Sequence, residues 1–134
     1  MIRGTTTLIA HIGYPTHAFK SPMIYNPYFE HAGIDAVVVP MGVKVEDFGA
    51  AFRAIFKFTN VRGALITMPH KVTSCALVDE LSPTALIAGA CNAIVLRPDG
   101  TLLGDMFDGA GFVRGVLRKG VRLASARALV VGCG

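Results

Sequence analysis

The chain has 134 residues, of which 52% are apolar and 16% charged, with 13 basic against 9 acidic residues for a net charge of +4. That length predicts one domain, and that composition excludes disordered, collagenous and coiled-coil chains, which need polar, glycine-periodic or heptad sequence. No stretch approaches the roughly 18 uninterrupted apolar residues of a membrane-spanning helix.

Short β-branched runs alternate with helical patterns along the chain. Thr6 to Ile12 reads as a strand ended by Gly13 and Pro15. Pro22 to Ala32 reads as a helix closed by Gly33, with Pro27 inside it predicting a kink or a late start. Ala36 to Val39 is wholly apolar, the pattern of a strand buried on both faces. From Glu46 to Thr59 the residues Phe48, Phe52, Ile55 and Phe56 form one apolar stripe at helical spacing. Gly63 to Ile66 is a third strand. A helix is expected from Pro69 towards Val78, and Ser82-Pro83 starts another. Ala93–Leu96 and Thr101–Leu103 flank Arg97-Pro98-Asp99-Gly100, a hairpin signal with suitable turn residues. Asp108 to Lys119 is a last helix followed by Gly120, and Arg127 to Val131 a last strand. Strands separated by helical spacers predict an α/β fold: a mainly parallel sheet with one antiparallel hairpin and helices on both faces.

The last strand runs into Gly132-Cys133-Gly134, the first half of G-x-G-x-x-G. That fingerprint cradles a pyrophosphate only with its third glycine and a following helix. The expectation is a chain truncated at the start of a Rossmann domain, with Gly132 and Gly134 as coenzyme-binding candidates.

Single residues remain ambiguous. Lys71, after Pro69, falls in the first turn of the expected helix, where the macrodipole disfavours an ammonium; it is either a proton-transfer group or a surface lysine. Asp108 and Ser21 each suit a helix N-cap, a role contributing about 1 kcal/mol. Asn92 suits a turn, and Cys91 is either a reactive thiol or a small buried filler. Cys75, Cys91 and Cys133 form no C-x-x-C, and His11, His17, His31 and His70 have no zinc-type spacing, so no metal is expected. Reduced cysteines and an N-terminus without an apolar signal region predict a cytoplasmic protein. Arg114, Arg118, Lys119, Arg122 and Arg127 form a basic stretch without aromatic interleaving, read as a solvated helix face and not a nucleic-acid site.

Taken together, Gly13-x-Pro15, Lys20-Ser21-Pro22, Thr67-x-Pro69-x-Lys71, Asp79-Glu80-Leu81, Gly89-Ala90-x-Asn92 and Gly104-Asp105-x-x-Asp108-Gly109-x-Gly111 resemble the shikimate dehydrogenase family in order and spacing. The resemblance implies a substrate-binding domain over residues 1–108. Residues 109–134 would then be a connecting helix and the first strand of an NADP-binding Rossmann domain. It implies an NADP-dependent oxidoreductase of aromatic amino acid biosynthesis, interconverting 3-dehydroshikimate and shikimate or a related ring acid. NAD as coenzyme, a quinate dehydrogenase-like activity and a non-catalytic ligand-binding or sensor module are the alternatives. Lys71 and Asp108 correspond to the family's catalytic pair, and Ser21, Thr67 and Asn92 to its substrate contacts. The partner would be a small ring hydroxy or keto acid, with no nucleic acid and no membrane, and a homodimer is left open. Five positions that are polar in the family are apolar here: Phe19, Leu65, Ala93, Met106 and Phe107. If these face the pocket, shikimate itself is expected to fit badly.

Overall fold

The computed structural model describes residues 1–132. Its strands are β1 (Thr7–Gly13), β2 (Ala36–Gly42), β3 (Val61–Ile66), β4 (Glu80–Leu81), β5 (Ala93–Leu96) and β6 (Leu102–Asp105). They form one sheet in the order β2-β1-β3-β5-β6-β4. β1 runs parallel to β2 and β3, and β6 parallel to β4, while β5 is antiparallel to both its neighbours. The α/β reading thus holds, and the hairpin strand β5 is the one that opposes the rest. The helices are α1 (Ser21–His31), α2 (Val45–Ile55), α3 (Pro83–Ala88) and α4 (Asp108–Arg118). None among the described residues is long and apolar enough to cross a membrane.

Strand alternation sorts the side chains. Leu8, Ala10 and Ile12 of β1 pack with Ala64, Ile66 and Ile94, with Phe48 and Phe52 of α2, and with Ala85 of α3. Phe48 and Phe52, one helical turn apart, meet edge to face with ring centroids 5.6 Å apart, and Ile55 and Phe56 of the predicted stripe pack against the same core. On the opposite face Ile9 registers with Val38 and His11 with Leu65. β2 ends the strand order, so its outer backbone groups need partners other than a strand. Asn26 of α1 supplies them: its amide accepts from the Val38 N–H at 2.7 Å and donates to the Val38 carbonyl at 3.1 Å.

Four expectations are corrected by packing. α1 starts at Ser21 and runs through Pro27, which excludes the late start of the two alternatives; Met23, whose carbonyl Pro27 cannot bond, is an exposed residue. α2 ends at Ile55 and not at Thr59, because the Asn60 carbonyl is drawn into the sheet by the Leu8 N–H at 2.8 Å. No α-helix runs from Pro69 to Val78. That segment is a turn after the cis Met68-Pro69 peptide and then a 3₁₀ turn, Thr73–Ala76, in which Cys75 N–H bonds Val72 in place of Lys71. The Lys71 carbonyl is instead held by the Cys91 N–H at 2.9 Å and the Ser74 hydroxyl at 3.1 Å. Lys71 therefore lies at no helix N-terminus, and the macrodipole argument does not apply to it. Residues 121–132 contain no strand, and Leu129 and Val131 are each 89% exposed. A strand exists by pairing, and among the described residues Arg127–Val131 pairs with no strand of the sheet.

Capping was only partly legible. α3 starts at Pro83 as expected; Ser82 caps it, accepting from the Ala85 N–H at 3.1 Å, and Gly89 at φ 61° ends it. Ser21 and Asp108 are not caps; they are the first helical residues, after Lys20 and Phe107. The two-residue β4 escaped the sequence pattern because it is too short to show a period.

The β3–β5 pairing rests on Gly63. A Cβ there would lie 2.5 Å from the Ile94 carbonyl oxygen, a backbone atom that cannot rotate aside. Gly63→Ala is expected to destabilise the fold by about 1–3 kcal/mol or more. A lower urea midpoint at unchanged slope would show it, and an unchanged midpoint would refute the close approach.

Candidate active site

Five strands point the same way, so their C-terminal ends form one rim of the sheet. β1 ends there at Gly13, β3 leads into Thr67, and β6 into Met106-Phe107-Asp108. β5 runs the other way, which brings its first end, at Asn92, to the same rim. The Ile66 N–H bonds the Asn92 carbonyl at 2.8 Å, and the Asn92 N–H bonds the Asp105 carbonyl at 2.9 Å. Crevices outside the carboxyl ends of parallel strands are where open α/β sheets hold ligands.

On this rim Lys71, Asp108 and Asn92 meet. Lys71 Nζ lies 2.5 Å from Asp108 Oδ2, and Asn92 Nδ2 donates to Asp108 Oδ1 at 2.5 Å. Asn92 Oδ1 in turn accepts from the Phe107 N–H at 3.0 Å, which sets the orientation of the amide. His70, beside Lys71, is buried, stacks on Phe48 at 3.9 Å and donates from Nε2 to the Val43 carbonyl at 2.8 Å. With both neighbouring backbone and side chain anchored, the lysine stem projects from a fixed base. The side chains are 28% and 54% exposed. An ion pair this open contributes about 0–1 kcal/mol to stability at most. Its value is chemical: two of the three ammonium N–H groups remain available to a ligand oxygen, while the carboxylate holds the third.

Beside Thr67 opens a hollow of about 280 Å³, lined among others by His11, Tyr14, Phe19, Lys20, Ser21 and Thr67. Ser21 and Thr67 thus share a pocket, as the motifs imply, while Asn92 stands with the charged pair. Gly13 lets the walls close: a Cβ there would meet the Met68 carbonyl oxygen at 2.8 Å and the Phe19 ring at 2.9 Å. A larger hollow of about 460 Å³ lies at the opposite rim, against Met1–Arg3 and Asp35, and holds none of these groups.

The five apolar departures do not all face the ligand space. Phe19 lines it, stacked on His11 with centroids 4.1 Å apart. Leu65 registers with His11 and Ala93 with Leu65, so both share the His11 face of the sheet. Met106 packs against the main core instead, and Phe107 is 55% exposed. Sequence reasoning had weighed His11 only as a metal ligand and had passed over Tyr14; the available signal was a histidine interrupting an apolar strand. Burial holds the His11 imidazole below its ordinary 6.5, and therefore neutral at pH 7.

Cys91 is the filler: it is fully buried against Ser74, and burial pushes its thiol up to about 11. Cys133 lies outside the described residues. No group of three histidine, cysteine or carboxylate side chains among the described residues could hold a metal ion. Gly132, the last described residue, has a left-handed φ of 83°, and Gly134 lies outside the described residues.

Residues 11–94 match the family described as the shikimate dehydrogenase substrate binding domain. The shikimate dehydrogenase (NADP(+)) of Rubrobacter xylanophilus is 40% identical over 133 residues, 99% of this chain and 46% of that protein. The solved shikimate 5-dehydrogenase of Listeria monocytogenes, in complex with shikimate and NAD, superposes with a TM-score of 0.84 at 32% identity, covering 91% of this chain and 42% of that one. The ligand-free 5-ketofructose reductase of Gluconobacter sp. strain CHM43 does so with a TM-score of 0.78 at 25% identity, covering 84% and 40%. The chain spans about half the length of the curated relatives it matches. With the match running from His11 in β1 to Ile94 in β5, through the Thr67–Lys71 turn, this chain belongs to the shikimate dehydrogenase substrate-binding domain family.

Proposed function

We propose that this chain is the substrate-binding part of an NADP-dependent oxidoreductase of the shikimate dehydrogenase type, interconverting a ring keto acid and its hydroxy acid. The observation that carries the reading is the Lys71–Asp108–Asn92 cluster on the ligand-binding rim of the sheet. Lys71 would hydrogen-bond the reacting oxygen and hold or release its proton. Asp108 would keep the ammonium oriented and accept from a neighbouring hydroxyl, with Asn92 fixing the carboxylate. Ser21, with Lys20 beside it at the start of α1, suits the substrate carboxylate, since a helix N-terminus and an ammonium both favour an anion. Thr67 would hold a ring oxygen from the opposite wall.

The relatives' names support NADP, which exchanges hydride when bound; each role above belongs to this chain's own side chains. The division into a substrate domain over residues 1–108 and a connecting helix leading to a coenzyme domain over 109–134 is part of the same proposal. The apolar shell favours a substrate with fewer ring hydroxyls than shikimate. The likeness to a 5-ketofructose reductase adds a polyhydroxylated keto sugar, the opposite case, to the compounds the test must include.

The test is hydride transfer by the complete polypeptide, with NADP and with NAD, against shikimate, quinate, less hydroxylated ring acids and 5-ketofructose. NADP-linked turnover of a ring acid, faster than of shikimate, is the expected result. Ligand binding without turnover by any compound would instead favour the sensor reading.

A further inference from the structure

His11 is 5% exposed, and its Nδ1 is a buried side-chain atom with no hydrogen-bond partner among the described residues. Buried polar atoms in folded chains are nearly always paired, and one left unpaired carries its desolvation penalty uncompensated. The same residue lines the hollow that holds Ser21 and Thr67. Phe19 stacks on the ring, fixing its plane and screening one face from water. Across the sheet its neighbours in register are Pro40 on one side and Leu65 and then Ala93 on the other, none of which offers a polar side-chain atom. A neutral imidazole presents one donor and one acceptor, so either ring tautomer can meet an uncharged oxygen at Nδ1.

We propose that His11 is a specificity-determining contact of this pocket, hydrogen-bonding a ring hydroxyl or ring carbonyl of the bound acid in place of the polar groups absent at Leu65 and Ala93. The inference rests on the substrate-site reading above. The ligand is then a small carboxylic acid with one oxygen at Lys71 and a second, uncharged oxygen at His11, its carbon edge lying on Phe19 and Leu65. An uncharged oxygen fits better than a second anion, because the buried neutral ring brings no positive charge.

The protein, labelled with 15N-histidine and 13C-lysine, is titrated with shikimate and separately with cyclohexanecarboxylate, which lacks ring oxygens. Shikimate is expected to shift both the His11 ring nitrogens and the Lys71 Cε signal, and cyclohexanecarboxylate to leave His11 Nδ1 in place. His11→Phe, which keeps a stacking ring, weakens shikimate binding by up to about tenfold, and His11→Asn, with an amide near the Nδ1 position, recovers most of it. If shikimate moves Lys71 but not His11, or if His11→Phe binds it as tightly as the parent, the inference falls and the site reading stands. If neither shikimate nor any of the less hydroxylated ring acids moves either residue, both fall together. An equal His11 shift with cyclohexanecarboxylate overturns the ring-oxygen contact. Should His11→Phe fail to fold, the ring-nitrogen shifts of the unsubstituted protein decide alone.

Discussion

Replacing Lys71 by alanine in the complete polypeptide is expected to lower kcat by about 10²- to 10⁴-fold, the range that a positioned proton-transfer group supplies. The coenzyme dissociation constant should stay within a few-fold of the parent, because Lys71 points to Asp108 and not towards Gly132. Folding should be nearly unaffected. The backbone anchors at position 71 are its carbonyl bonds to Cys91 and Ser74, which alanine keeps, and the neighbouring His70 is held by Phe48 and Val43. The lost ion pair is half open to water, so its absence costs about 1 kcal/mol at most. Steady-state kinetics with the best substrate, together with a thermal melt, separate the two effects. Near-normal turnover would remove Lys71 from the chemistry and with it the oxidoreductase reading of this cluster.

The second large effect concerns which acid is accepted. Leu65→Asn combined with Ala93→Thr is expected to raise kcat/KM for shikimate by about 10²-fold or more, since a site built to pair hydroxyls discriminates by as much as about 10⁴ against one that is not. Both positions are half-buried on the His11 face, so the new polar groups would enter the row that lines the pocket side of the sheet. Phe19 is left in place, because removing its ring would open a void against His11 and confound specificity with stability. An unchanged or lower kcat/KM for shikimate would show that Leu65 and Ala93 do not contact the ring. Met106 and Phe107 are not part of this design: the first packs on the core and the second acts through its backbone N–H.

Elements whose partners are near in sequence were readable from pattern. The Phe48–Phe52 stripe, the Arg97–Gly100 turn and the apolar runs of β1 to β3 each declare themselves within a few residues, because side-chain period and turn chemistry are local properties. The stretch after Pro69 was misread for the opposite reason. Its helical pattern competes with long-range acceptor needs, and the Lys71 carbonyl is taken by Cys91 from across the sheet rim. Arg127–Val131 shows the same limit: β-branched residues mark a strand, but strand hydrogen bonds require a neighbour.

The site divides along the same line. Residue type and spacing singled out Lys71, Asp108, Ser21, Thr67 and Asn92, because short motifs carry chemical groups in a readable order. That Lys71 and Asp108, 37 positions apart, lie in contact follows from the strand order, which brings the ends of β3 and β6 to one rim with the start of β5 between them. The place of His11 on the pocket face of the sheet and the burial of Met106 in the core likewise depend on register, since a one-residue slip would exchange the two faces. Chemical identity is written residue by residue along the chain, whereas contact, burial and an unpaired Nδ1 come into being only when distant segments pack and exclude water.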